Sequence, residues 1–205
     1  MGENNANSLG GFSPSVVPYP HPTLAHKSKP VRRVDAELVR IVREMFDLMY
    51  ASNGIGLAAN QVDLPLRLFI VNLSAKAGEG EELVFINPVL SKPKGNEESE
   101  EGCLSFPDLY GPVMRPKQIS VQAYNLHGEE IRANLTGMLA RVIQHEFDHL
   151  DGVVFVDRMS PTARAKAQPM LDEFELSYRA QQQTGAIPSD DEIVRRLVQW
   201  EQRYA

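Results

Sequence analysis

Apolar residues recur at three- and four-residue intervals in three stretches of the chain. Leu38, Ile41, Val42, Met45, Phe46 and Met49 predict an amphipathic helix, capped by Asp35 and ending near Asn53-Gly54. Leu139, Val142, Ile143, Phe147 and Leu150 predict a second helix over Gly137 to Leu150, with Asp151-Gly152 as its stop. Ile193, Leu197 and Trp200 predict a third over Asp191 to Tyr204, with Ser189 as cap. A helix also starts at Ser160-Pro161, and Pro169 is expected to interrupt or kink it before the break at Gly185 to Pro188. Strands are expected at Leu66 to Asn72, at Leu83 to Asn87, from Val89, and at Val153 to Val156. Gln118 to Asn125 and Glu130 to Leu135 alternate across His127-Gly128 and predict a hairpin with His127 exposed in its turn. The glutamate-rich run from Ser91 to Glu101 reads as solvated, Tyr110-Gly111-Pro112 as a turn, and His21, between two prolines, as a surface residue.

This order gives an α+β fold, with antiparallel β-sheets around one buried central helix and further helices at the N- and C-terminal ends. Residues 1–17 read as a flexible arm, 18–160 as one catalytic domain and 161–205 as a helical tail. The length of 205 residues suits such an arrangement. A net charge of -6 argues against a nucleic-acid binder, DNA included, although it leaves room for a local basic patch, and any rRNA contact is expected at Arg158 to Lys166 or Arg195 to Arg203. One cysteine rules out an intrachain disulfide framework and favours a reducing compartment. No run approaches the ~20 apolar residues of a membrane span, and the first 26 residues hold no Lys or Arg to start a leader. The expected location is the cytoplasm, with no membrane partner.

The second helix carries the chemistry. His145-Glu146-Phe147-Asp148-His149 is an H-E-x-x-H sequence, and histidines four apart share one helical face, so both imidazoles reach one metal ion. Glu146 then faces the open side of that ion as a proton shuttle. A chance surface pair is the alternative, but the apolar flanks bury this helix, and buried polar groups need partners. The extended motif with a third histidine is excluded because Phe155 stands at that position. Cys103, after a glycine and about forty residues upstream, is the best third ligand; the competing reading of a lone cysteine is a small buried hydrophobe. Gly54 to Gln61 packs small residues around one glutamine. It reads as a tight turn before a strand, or as a substrate-lining loop in which Gln61 donates to a carbonyl.

Three motifs in one order carry a family resemblance. They are G-x-G-x-A-A-x-Q at Gly54 to Gln61, E-G-C-L-S at Glu101 to Ser105, and Q-H-E-x-D-H-L-x-G at Gln144 to Gly152. The chain resembles the peptide deformylases from about Tyr19 to Arg158, and Tyr110 resembles the cyanobacterial and plant-organellar variant. The resemblance implies that Cys103, His145 and His149 hold one divalent metal, Fe(II) in the cell, with Zn, Ni or Co able to substitute. It implies that the Gln61 side chain and the Leu104 N–H stabilise an oxyanion while Glu146 moves the proton. Gly54, Ile55, Gly56, Leu104, Tyr110, Val142 and His145 would receive the peptide and its methionine side chain. Glu101, Arg115 and Asp148 would support the ligands from behind, a surface ion pair being the plainer reading of Asp148. The implied substrates are nascent N-formylmethionyl peptides, with a transient ribosome contact and a monomer or weak oligomer. A zinc endopeptidase and an inactive ribosome-docking metal module remain as alternatives.

Overall fold

A computed structural model describes residues 12–205. The backbone runs α1 (Ala36–Ala51), β1 (Gly56–Ala58), β2 (Leu68–Val71), β3 (Leu83–Cys103), β4 (Phe106–Tyr124), β5 (Glu130–Thr136), α2 (Gly137–Leu150), α3 (Pro161–Gln183) and α4 (Asp190–Tyr204), with short 3-10 turns at Pro22–Ala25, Ala59–Val62 and Phe155–Arg158. All five strands form one antiparallel meander in the order β1-β2-β3-β4-β5. The fold is α+β, on one sheet rather than several.

β2 explains the layering. Its Leu68 and Ile70 point into a core with Leu38, Ile41, Val42, Met45 and Met49 of α1. Phe69 and Val71 point the other way, into a core with Ala140, Val142, Ile143 and Leu150 of α2. A strand covered on both faces reads as a continuous apolar run, as LFIV does. Helix α2 is therefore buried from Ala140 to Glu146 and again from Asp148 to Leu150. The Asp35 carboxylate caps α1 by accepting from the Leu38 N–H, and Ser189 caps α4.

Several expectations are corrected. The polar run Ser91 to Glu101 is solvated as expected except at buried Glu101, but it is strand rather than loop, because it pairs along β4 (Asn96 with Pro116, Glu97 with Arg115) and backbone hydrogen bonds hold it. Tyr110-Gly111-Pro112 lies inside β4 for the same reason. Residues 153–156 form no strand; Phe155–Arg158 is a 3-10 turn whose Phe155 and Val156 are buried, and the Asp157 carboxylate accepts from the Val154 N–H at its start. Pro169 does not interrupt α3, which runs continuously to Gln183. His21 is buried rather than exposed, and its Nδ1 accepts from the Thr23 N–H. Of the expected flexible arm, residues 1–11 lie outside the described residues, but Phe12 meets the Trp200 ring edge-on at 5.0 Å and Val17 is buried. α4 places Ile193, Leu197, Trp200 and Tyr204 against the body, the last two within the α1 core. Among the described residues no helix is long and apolar enough to cross a membrane.

Candidate active site

Two loops converge on α2. The first follows α1: Gly54 and Ile55 enter β1, and the 3-10 turn then turns Gln61 inward. The second is the turn Leu104-Ser105 joining β3 to β4, directly after Cys103. The extended N-terminal segment ties both together. The Val17 N–H donates to Gln61 O at 2.8 Å, and the Tyr19 N–H donates to Ser105 O at 2.9 Å.

Cys103 Sγ and ring nitrogens of His145 and His149 lie within 4.8 Å of one another. Sγ is 3.3 Å from His149 Nε2. Donors held at about 2.0–2.3 Å from a single ion stand roughly 3.3–3.8 Å apart, so this set fits one metal without rearranging the backbone. Burial, followed by the charges of His145 and Arg115, holds His149 well below its ordinary value, in the neutral form a ligand needs. Burial alone would also lower His145, but hydrogen bonds to Cys103 and Glu101 raise it to about 10; the site draws positive charge to this point. The same attraction favours a metal cation, which replaces the proton on binding.

Behind His145 stands a buried ionic network. Glu101 Oε2 meets His145 Nδ1 at 3.0 Å, which leaves Nε2 for the cluster. Arg115 donates to both oxygens of Glu101 at 2.7 and 2.9 Å, and its other arm donates to Asp148 at 2.8 Å. Arg158 closes the chain with two bonds to Asp148, at 2.6 and 3.0 Å. Burial pushes the Glu101 carboxyl up, but His145 and Arg115 overcome it and hold it at about 2, fully ionised.

Two buried groups were not singled out from the sequence. Arg141 donates to Glu101 at 2.6 Å and to the carbonyls of Val113 and Glu97. Its signal was its spacing, since it precedes His145 by one helical turn. Asn60 donates to the carbonyls of His149 and Thr23, fixing the end of α2 to the loop that carries Gln61.

Gln61 has a defined orientation. Its Oε1 accepts from the Ala58 N–H at 2.8 Å, so its amide nitrogen faces the cluster, 3.3 Å from Cys103 Sγ and 3.4 Å from Ser105 Oγ. Glu146 is buried, and its Oε2 has no hydrogen-bond partner among the described residues. Burial, against the opposing charges of His145 and Arg115, pushes its carboxyl up to about 7. Gly56 runs so close to Glu146 and Val142 that a Cβ there would collide with both. All of this opens on a cleft of about 620 Å³, lined by Gly54, Ile55, Gly56, Gln61, Glu101, Cys103, Leu104, Tyr110, Arg141, Val142, His145 and Glu146. Tyr110 stands at the rim, 63% exposed, its ring against Gly102. Of the residues singled out from sequence, Arg115, Asp148 and His149 do not line the cleft.

Known proteins resemble this chain over most of its length. The chain is 47% identical over 190 residues to a peptide deformylase of Rhodopirellula baltica, covering 93% of this chain and 94% of that one. It is 42% identical over 173 residues to the chloroplastic peptide deformylase 1B of Oryza sativa, covering 84% of this chain and 64% of the plant protein. A crystal structure of plant peptide deformylase PDF1B superposes with a TM-score of 0.80 at 36% identity, covering 92% of this chain and 97% of that one. The model of the family described as polypeptide deformylase matches residues 14–165, and a match over that much of the chain, with such relatives, establishes that this protein belongs to the polypeptide deformylase family.

Proposed function

We propose that this chain is a metal-dependent hydrolase that removes the N-formyl group from the terminal methionine of nascent peptides, releasing formate. Cys103, His145 and His149 would hold the metal. A thiolate and two imidazoles suit several first-row ions; Fe(II) in the cell, with Zn, Ni or Co as substitutes, is what the resemblance to the family implies. A divalent ion there supplies Lewis acidity, which activates water near neutral pH and polarises a carbonyl.

The protein's own groups do the rest. The buried Glu146 carboxylate, whose Oε2 has no hydrogen-bond partner among the described residues, takes a proton from the attacking water and returns it to the departing amine nitrogen. As the formyl carbon becomes tetrahedral, its oxygen gains charge. The Gln61 amide and the Leu104 N–H donate to that oxygen, one from each of the two converging loops. Gly54, Ile55 and Gly56 offer backbone to an extended peptide, and Val142, Tyr110 and Leu104 offer apolar surface to the methionine side chain. Glu101, Arg115 and Asp148 hold the His145 ring in the tautomer that leaves Nε2 for the metal.

The observation that carries this reading is Gln61. Its carbonyl end is tied to the backbone and its amide end is aimed at the cluster, which makes it a fixed donor for acyl chemistry. The reading places the enzyme where formyl-methionine chains are made, and hence in the cytoplasm, with transient access to ribosomes. Two assays on anaerobically prepared protein test it: formate release from a formyl-Met tripeptide, and cleavage of an internally quenched, unformylated peptide. Formate release without internal cleavage is expected; internal cleavage without formate would establish an endopeptidase instead.

A further inference from the structure

Within the net charge of -6, residues 27–33 contribute four cations and no acid, so the rest of the chain stands at -10. The arginines of the stretches that sequence alone marks as basic are mostly neutralised. Arg158 pairs with Asp148, Arg164 with Asp157, Arg196 with Asp63 and Arg203 with Glu37. Lys27, Lys29, Arg32 and Arg33 differ: all four are exposed, and among the described residues only Arg33 has a carboxylate within 4.0 Å, Asp35 at 3.8 Å.

The backbone beneath these cations is fixed. The Ser28 N–H donates to Leu150 O, the Lys29 N–H to Pro65 O and the Arg32 N–H to Tyr204 O, while the Arg67 N–H donates back to Lys29 O. Val31 exchanges two 2.8 Å bonds with the Asn87 side chain. Val31 is buried, so the segment turns its apolar residue inward and its charges outward. Fixed cations lose little further backbone freedom when an anion docks.

Beside them lies a groove of about 450 Å³, lined by Arg32, Arg33, Tyr124, Asn125 and His127. Tyr124 is 43% exposed. Acids do flank the groove, but Glu129 is engaged by Asn125, and Asp35 by the Leu38 N–H and Tyr204. Arg32 and Arg33 on the groove wall, with Lys27 and Lys29 further along the same fixed segment, and an accessible aromatic ring in the groove match the two needs of a single-stranded nucleic acid, phosphate neutralisation and base stacking. An acidic peptide has no use for the ring, and a membrane surface has no use for a concave polar groove. We propose that residues 27–33 and the Tyr124 groove form a docking surface for single-stranded RNA, on a part of the molecule that shares no lining residue with the catalytic cleft.

The test uses full-length, metal-loaded protein and a labelled, unstructured ribo-oligonucleotide of about 12 nucleotides, read by fluorescence anisotropy across a salt series. Three to four phosphate contacts predict a slope of log affinity against log salt of about -2 to -3. Lys27→Gln/Lys29→Gln/Arg32→Gln should lower affinity at least tenfold and bring the slope to about -1 or shallower. Tyr124→Ala should weaken binding about fivefold or more with the slope unchanged. Formate release should be unaffected in both variants, and circular dichroism melts should confirm folding. The proposal fails if the triple variant binds RNA like the parent. It fails equally if phosphatidylserine vesicles or a polyglutamate peptide show the same loss in the triple variant while Tyr124→Ala leaves RNA binding unchanged, because simple charge attraction would then suffice. The binding readout does not depend on deformylation, so its failure leaves the proposed reaction untouched.

Discussion

Burial favours the neutral form of Glu146, while the proposed metal ligands on the same helix, His145 and His149, would need a cation beside them. This division of labour separates the effects of single substitutions. Glu146→Ala should keep its metal and its fold while kcat falls by roughly 100- to 10,000-fold, the usual contribution of a positioned general base. Cys103→Ala should lose bound metal, measured by anaerobic metal analysis; unchanged stoichiometry would remove the thiolate from the site. Arg141 acts one step back, since it touches Glu101 rather than the reacting atoms. Arg141→Met should cost about 1–3 kcal/mol in urea unfolding, because two backbone carbonyls and part of Glu101 lose their donor. It should also weaken metal retention about tenfold, with partial recovery in Arg141→Lys. A stability change below about 0.5 kcal/mol would show that Arg141 is dispensable. The sequence made the two histidines legible as candidate ligands because their spacing is local to one helix, whereas Cys103 comes from the end of β3. It did not reveal that Glu101 has two guanidiniums around it, since Arg115 and Arg141 reach it from different elements.

At the scale of elements, local periodicity succeeded where apolar residues keep to one stripe and failed where they do not. α1 and α4 each bury one stripe, and α2, although buried on nearly every side, keeps its apolar residues on one stripe and its polar ones on the other, so the 3.6-residue pattern located all three closely. The far half of β3 buries almost nothing, so it has no alternation to read, and only its partner β4 makes it a strand. α3 continues through Pro169 in the same way: a proline costs a helix one hydrogen bond, and anchors at Ala167, Leu171 and Tyr178 on both sides of it offset that cost. α4 carries a testable consequence. Ending the chain at Pro188 removes Ile193, Leu197, Trp200 and Tyr204 from the body, each a side chain of ~1.5–3 kcal/mol burial. The thermal midpoint of the metal-loaded protein should fall by roughly 10 °C or more. An unchanged midpoint would show α4 to be an appendage.

At the scale of the whole molecule, the N-terminal segment around His21 meets the C-terminal helices α3 and α4 at Asp63. His21, near the N-terminus, lies 4.0 Å from Asp63, which also accepts from Thr23 and pairs with Arg196 of α4; the His21 ring meets Tyr178 of α3 edge-on. Asp190 and Arg196 are the other charges that reach His21. Burial lowers the pKa of His21 from its ordinary 6.5, and the Asp63 charge only partly offsets this. The unfolded chain therefore binds this proton more readily than the folded one. Its contribution to stability is complete above about pH 6.5 and is lost as pH falls towards the depressed folded value. His21→Asn keeps an acceptor for the Thr23 N–H but cannot titrate. Denaturation midpoints at pH 7.5, 6.5 and 5.5 should decline less in His21→Asn than in the parent, and parallel declines would rule this group out.

The sequence by itself determined the reaction chemistry and the main helices. Three short motifs carry it, and each is local: a helical pair of histidines with its glutamate, a cysteine beside a tight turn, and a glutamine in a run of small residues. Local motifs survive translation into structure because helix spacing and turn chemistry act within a few residues. Only the tertiary structure decided how those motifs meet. It set the orientation of Gln61, the enclosure of Glu101 by Arg115 and Arg141, the burial of His21, and which arginines are spent on ion pairs and which cations stay exposed. Apart from the local bond between Gln61 and the Ala58 N–H, these depend on partners well separated in sequence, from 14 positions for Glu101 with Arg115 to 133 for Asp63 with Arg196, and side-chain charge and burial are set by whatever the fold brings alongside, which no local pattern encodes.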